Sequence, residues 1–115
     1  MKNLEFLQDK MQFLSALEIA NSIPVLFAIY QIGKATTTEI NRLLARDLGF
    51  TLSGGSLSNT LFSLASRNFI EVENEYSGRK LLRRRYKLSE KGHKLVKALE
   101  RFLQELEIPE ENKSN

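Results

Sequence analysis

The chain has no cysteine, no tryptophan, two prolines, six glycines and a single histidine in 115 residues. Without thiols there is no disulfide framework and no thiolate metal site. His93, flanked by Lys91 and Lys94, has no second imidazole to join it and reads as an ordinary surface residue. No metal is therefore expected. No apolar run reaches the roughly 18–20 residues of a membrane-spanning helix, so no membrane association is expected. The opening Met1-Lys2-Asn3-Leu4-Glu5 introduces an acid early, and no small-residue cleavage site follows it, so it does not read as a secretory signal. A cytoplasmic address is the expectation. Also missing are a glycine-rich phosphate loop, a nucleophile elbow and a pair of acids at catalytic spacing. Neither enzymatic activity nor a cofactor is expected.

The charge that is present lies in one place. The net value is +3, yet residues 1–50 carry five bases and five acids, and residues 51–75 carry Arg67 against Glu71, Glu73 and Glu75. Residues 76–97 hold Arg79, Lys80, Arg83, Arg84, Arg85, Lys87, Lys91, Lys94 and Lys97 against Glu90 alone. A solvated surface would spread such charge. Its concentration in one short stretch is the footprint of a polyanion site.

Apolar spacing predicts the elements. From Asn3 to about Ala20, Leu4, Leu7, Met11 and Leu14 form one helical stripe, and Phe6, Phe13, Leu17 and Ala20 form a second. Two stripes on one helix call for burial on two sides, one of them against a partner. Ser22 is expected to cap a second helix, with Pro24 in its first turn, Val25, Leu26, Ile29 and Tyr30 facing the core, and Gly33 as its stop. Thr36 and Glu39 fit a capping box for a third helix, which points Ile40, Leu43 and Leu44 inward and ends at Gly49. Ser53-Gly54-Gly55-Ser56 opens a fourth helix running to about Arg67. A strand is expected over 69–76, where Ile70 and Val72 alternate with Glu71 and Glu73. Ser77-Gly78 signals a turn, and 83–88 is the return strand with Tyr86 and Leu88 inward. Ser89 caps a final helix bearing Leu95, Leu99, Phe102 and Leu106, and Pro109 ends it.

This order predicts a mainly α chain with a small antiparallel β-hairpin (α+β), arranged as a winged helix-turn-helix with extra N- and C-terminal dimerisation helices. Residues 1–108 form a single domain on this reading: an N-terminal helix over 1–21, a core over 22–88 and a C-terminal helix over 89–108. Residues 109–115 read as a disordered polar tail.

On the fourth helix, Leu57, Leu61, Leu64 and Ala65 share one face, and the opposite arc carries Gly55, Ser56, Asn59, Phe62, Ser63 and Ser66. Small polar side chains can enter a groove, and the Asn59 amide can pair bidentately with adenine. The neighbouring glycines leave the helix N-terminus open to a phosphate. Phe62 is expected to pack under the second helix, the alternative being contact with a thymine methyl. On the hairpin, Arg83, Arg85 and Lys87 share one strand face, with Arg79 and Lys80 at the tip. Some of these bases are expected to pair across the strands with Glu71, Glu73 and Glu75, which still leaves a surplus.

Residues 53–71, Ser-Gly-Gly-Ser-Leu-Ser-Asn-Thr-Leu-Phe-Ser-Leu-Ala-Ser-Arg-Asn-Phe-Ile-Glu, resemble the recognition-helix segment of PadR-like transcriptional regulators, S-P-G-T-L-Y-P-A-L-x-x-L-x-x-x-G-L-I-E. The stretch from Arg84 to Gly92 is similar to that family's R-K-Y-Y-x-L-T-E-K-G. Endings of this kind also occur in MarR-like proteins. The family's proline is Gly54 here and its Tyr-Pro pair is Ser58-Asn59, so the reading surface differs. By position the resemblance implies groove contacts at Ser56, Ser58, Asn59 and Ser63 and wing contacts from Arg79 to Arg85 (Arg79, Lys80, Arg83, Arg84 and Arg85); the helix and strand faces add Gly55 and Lys87 as candidate contacts. It also implies a homodimer joined through the terminal helices.

The expected partners are double-stranded DNA and a second copy of the chain, the latter through Leu4, Leu7, Met11, Leu14, Leu95, Leu99, Phe102 and Leu106. The expected function is sequence-specific transcriptional regulation by a homodimeric repressor. The competing reading is a winged helix used as a protein-interaction module or as a non-specific DNA-binding subunit of an assembly. A small-molecule effector between dimer helices is compatible with the architecture, and no residue pattern identifies its site.

Overall fold

The N-terminal segment does not form the single helix that its periodicity predicts. In the computed structural model, which describes residues 4–106, a 3-10 turn over Glu5–Leu7 leads into α1 (Gln8–Leu14), and a second 3-10 turn covers Ser15–Glu18. Ser15 Oγ donates to the Gln12 carbonyl at 2.7 Å, a local bond that competes with the helical ladder. The chain then bends by 106° before α2 (Ser22–Ile32). No single helix among the described residues is long and apolar enough to cross a membrane. Ser22 is not the cap of α2: Asn21 holds that position in the left-handed region at φ +64, and Ser22 is buried as the first helical residue.

α2 is the centre of the fold, with Val25, Leu26, Ala28 and Ile29 all buried. Against it pack α3 (Thr37–Leu48), α4 (Gly54–Ser66), α5 (Glu90–Glu105) and the second strand of a hairpin, β1 (Ile70–Ser77) and β2 (Lys80–Leu88). The capping box on α3 forms as predicted. Glu39 N–H donates to Thr36 Oγ1 at 3.2 Å, and the Glu39 carboxylate accepts from the Thr36 N–H at 2.9 Å. Gly33 and Gly49 close α2 and α3 at positive φ. Ile40, Leu44, Leu57, Leu61 and Leu64 complete the helical core.

At the end of α4, Asn68 turns left-handed at φ +65. Its N–H reaches the Ala65 carbonyl, and the Phe69 N–H reaches Leu64, the paired bonds of a Schellman stop. The chain can then reverse directly into β1, and Phe69 is driven fully into the core. β2 pairs antiparallel with β1 and begins at Lys80, three residues earlier than the sequence predicts. Ala35 bridges the far side of β2 at Tyr86 through two bonds of 2.8 and 2.9 Å, adding a single residue of a third strand. Tyr86 and Leu88 face inward as expected.

Ser89 caps α5 by accepting from the Gly92 N–H. Gly92 itself lies against the backbone of Phe69. A Cβ at this position would overlap the Phe69 carbonyl oxygen and stand 3.1 Å from its carbon. Along α5, Leu95 is 4 % exposed and Leu99 packs on the core. Both were expected on a dimer face. The correction follows from the helix's two-sided register: its first turns are needed to cover α2 and β2. The described part of α5 ends at Glu105. Pro109 and the expected 109–115 tail lie outside the described residues, as do Asn3 and the side chain of Phe6.

Candidate nucleic-acid interface

α3 and α4 are joined by a short turn that is held from both sides. The Asn41 amide donates to the Leu52 carbonyl, and its oxygen accepts from the Leu52 N–H, each at 2.9 Å. Ser53 then caps α4 through the Ser56 N–H, so the cap is Ser53 and not Ser56. Thr60, which no local pattern singles out, is buried and donates from Oγ1 to the Ala20 carbonyl at 2.8 Å. Three hydrophobic anchors and this bond fix the rotation of α4 about its axis. The outward row is thereby Gly55, Asn59, Phe62 and Ser66.

Phe62 does not pack under α2. Its side chain is 74 % exposed, because Leu57, Leu61 and Leu64 occupy the inward face and Phe62 lies nearly opposite them. Ser66 Oγ is spent locally on the Phe62 carbonyl at 2.8 Å. The other predicted reading residues divide between two sides of the helix. Ser58 looks toward the wing. Ser56, Asn59 and Ser63 line a cleft of about 330 Å³ that they share with the Glu18–Asn21 turn and Arg67.

Between α4, the start of α3 and β2 runs a larger groove of about 700 Å³, bounded by Thr36–Glu39, Arg42, Ser58 and residues 81–86. Arg42 and the three threonines were not selected from the sequence. Nothing local distinguishes Arg42 from any solvated helix base, and only the fold brings it opposite the wing.

The wing's shape comes from two local features. Gly78, at φ +61, occupies the first central position of the Ser77–Lys80 turn, where a tight hairpin requires a left-handed residue. Arg79 is thereby placed at the tip. A bulge follows: Glu75 pairs with Arg83 and Tyr76 with Leu81, leaving Leu82 as the extra residue. From the bulge inward, Arg83, Arg85 and Lys87 do share one face, and they lie opposite Glu75, Glu73 and Glu71.

The acids consume part of that charge. Lys87 Nζ lies 3.2 Å from Glu73 and 3.7 Å from Glu71, Arg85 lies 3.6 Å from Glu75, and Lys34 adds a 3.3 Å contact to Glu73. The hydrogen bonds from Lys87 and then Lys34 hold the Glu73 carboxyl below the usual carboxylate range. Glu73 in turn raises the Lys87 ammonium. Arg79, Lys80 and Arg83 make no ion pair among the described residues, and Arg84 meets only the neutral Asn74 amide, at 3.0 Å. Four of the six predicted wing bases thus keep their charge unmatched.

Three packed helices, a helix pair clamped at its turn, and a hairpin folded back beside the second of that pair leave one description. The fold is a winged helix-turn-helix. No protein-family model and no curated protein sequence matches the chain. Solved structures do. The chain is similar to a transcriptional regulator of the MarR family from Enterococcus faecalis V583, with a TM-score of 0.70 at 17% identity, over 90% of this chain and 86% of that one. A PadR-family regulator from Eggerthella lenta DSM 2243 superposes with a TM-score of 0.59 at 20% identity, over 86% and 88% of the two chains. Bacillus subtilis PadR, in a complex with operator DNA, gives 0.54 at 17% identity, over 90% of this chain and 52% of its own. The winged helix seen here is thus shared with both families that the sequence resembles.

Outside the winged-helix core, the terminal segments carry apolar side chains without cover. Leu4, Met11, Leu14 and Leu17 are exposed near the N-terminus, and Phe102, Leu103 and Leu106 on and beyond the end of α5. Leu7 is half-buried. Of the eight residues expected at a dimer contact, Leu95 is therefore withdrawn into the protomer's own packing, and Leu99 is half-buried against the core.

Proposed function

We propose that the chain is a transcriptional regulator that binds double-stranded DNA sequence-specifically as a homodimer and represses by occupying its operator. The observation that carries this reading is the partition of charge on the wing. Glu71, Glu73 and Glu75 are all engaged with Lys34, Arg85 and Lys87, and Arg79, Lys80, Arg83 and Arg84 are left over; Arg83 and Arg84 line a groove that also receives Arg42, against Glu39. Guanidinium groups there can fork onto phosphates or enter a narrow minor groove. The uncharged α4 is suited to the major groove, with Asn59 as its adenine reader and Gly55, Ser56, Ser58 and Ser63 as its small contacts. The operator complex of the similar Bacillus subtilis PadR supports the same use of the fold.

The dimer is proposed through Leu4, Leu7, Met11, Leu14, Phe102 and Leu106. Exposed apolar side chains at both ends of a small protomer are what an obligate interface covers. A twofold pairing would set two recognition helices about one DNA turn apart, roughly 34 Å.

The test is a titration on duplex DNA across salt. Four unmatched wing cations on each protomer of a dimer give a slope of log K against log salt of about −7. The variant Arg79→Ala/Lys80→Ala/Arg83→Ala is expected to flatten it to about −2. A wild-type slope near zero, or the same slope in the variant, refutes DNA binding through the wing.

A further inference from the structure

We propose that Phe62 is a base-reading residue, contacting a thymine C5-methyl group one step along the major groove from the base pair that Asn59 reads. This rests on the proposed DNA-binding function and assigns a specificity determinant within it. Phe62 is the most exposed of the large apolar side chains among the described residues. It stands in the outward row of α4, where a solvated helix would carry a charged or polar side chain. It has no packing role to explain it, since the core face of α4 is filled by Leu57, Thr60, Leu61 and Leu64. The neighbouring positions are small: Ser58 and Ser66 lie one turn to either side, and the Ser66 hydroxyl is already satisfied by the helix backbone. The ring therefore projects past everything around it and would be the first side chain to meet a surface approaching α4.

The surrounding charge selects the occupant. α4 carries no ionisable side chain between Gly54 and Ser66, and the adjoining groove is lined by Arg42, Arg83, Arg84 and Arg85 against the single acid Glu39. Such a face complements a polyanion. Within the major groove, the apolar group available to an aromatic ring is the thymine methyl. Asn59 and Phe62 are three residues apart, about 4.5 Å along the helix axis. That is comparable to the base-pair rise of roughly 3.4 Å, so a methyl on the pair adjacent to the adenine lies within reach of the ring.

The experiment begins with duplexes selected by the wild-type protein from a random pool. In the tightest of them each thymidine is replaced singly by deoxyuridine, which removes the methyl and nothing else. One position next to the adenine attributed to Asn59 is expected to weaken wild-type binding about fourfold, the worth of one buried methyl group. Phe62→Ala is expected to be indifferent to deoxyuridine at that position, and Phe62→Leu to keep part of the response. Both variants should retain the wild-type salt slope and thermal melt, because the residue is exposed and uncharged. An unchanged deoxyuridine profile in Phe62→Ala, or a wild-type profile with no sensitive thymine, overturns the assignment and leaves DNA binding standing. Failure of the wild type to retain any duplex overturns the parent reading, and this inference with it.

Discussion

Replacing Gly92 by alanine tests the closest approach in the fold. Position 92 is the third residue of α5, and in an unconstrained helix alanine is favoured over glycine by about 1 kcal/mol. Here the new methyl would overlap the Phe69 carbonyl oxygen, with the carbonyl carbon at 3.1 Å and Leu88 Cδ2 at 3.4 Å. The obstructing atoms are backbone and cannot rotate away. The Phe69 carbonyl also accepts the Ser89 N–H at 3.0 Å, and its ring is fully buried between Phe13 and the helical core. Moving α5 outward to make room would weaken that hydrogen bond, costing about 1 kcal/mol, and would disturb the packing of Leu95 and Val96. Overpacking of this kind adds about 1–3 kcal/mol.

After the helix-propensity gain is subtracted, Gly92→Ala is expected to cost about 2 kcal/mol and to lower Tm by about 10 °C. Urea denaturation with a constant m-value, followed by far-UV circular dichroism, measures the first quantity directly. Gly54→Ala is the matched control. Gly54 also lies in the first turn of a helix, has ordinary φ, and has nothing within 4 Å of its would-be Cβ. That change should stabilise by about 0.5 kcal/mol. If Gly92→Ala is as stable as the wild type, or gains like Gly54→Ala, then α5 does not meet the Phe69 backbone as described.

The α3 capping box makes a pH prediction. The Thr36 N–H bond to its carboxylate holds the Glu39 pKa below its ordinary value near 4.5, so Glu39 stabilises the fold fully above that value, and the contribution is lost as pH falls through the lower folded pKa. Glu39→Ala should cost about 1 kcal/mol at pH 7, and the gap from wild type should narrow as pH falls below the ordinary carboxylate range; a gap independent of pH contradicts the capping account. The terminal helices make another. Leu14→Glu/Phe102→Glu should yield folded monomers in sedimentation velocity with a near-wild-type melt, because both side chains are exposed in the protomer. Leu95→Glu should instead unfold the chain, since it puts an unpaired charge in the core; a folded Leu95→Glu monomer would return Leu95 to the interface.

What was readable in the sequence, and what was not, divides along the range of the interactions involved. Thr36 with Glu39, Ser89 with Gly92, and the stops at Gly33 and Gly49 are all set within four residues, and each forms as expected. The Gly92 of the second matching segment also acquires a physical meaning, as the one residue that fits over the Phe69 carbonyl. Asn68 stands where the family pattern has glycine, and its left-handed φ shows why that position asks for one. The failures are tertiary. The two-striped periodicity over 3–20 is real, but the bend before α2 and the exposure of Leu14 and Leu17 are decided by how α1 lies on the rest of the protomer. Leu95 and Phe102 look alike on a helical wheel, and only the packing of the first turns of α5 on α2 and β2 buries the first and leaves the second open. Leu82, the bulge residue, and Thr60, bonded to a carbonyl forty positions away, carry no local mark at all.

The same division bears on the interface. A count of six wing bases against three acids predicts a surplus and cannot say which bases form it. The register answers that: diagonal and direct pairing across the strands commits Lys87 and Arg85 to the glutamates, nearest the core, and leaves the tip and the bulge unmatched. The inner pairs tie the wing to itself and, through Lys34, to the loop between α2 and α3. Phosphate contacts position a protein on DNA, and contacts to base edges specify the sequence. On the proposed reading the two tasks fall on different elements, because α4 has no charge and the unmatched cations lie on the wing. Affinity should therefore follow substitutions at Arg79, Lys80, Arg83 and Arg84 for every duplex alike. Preference among duplexes should follow Asn59 and Phe62 with the salt dependence untouched.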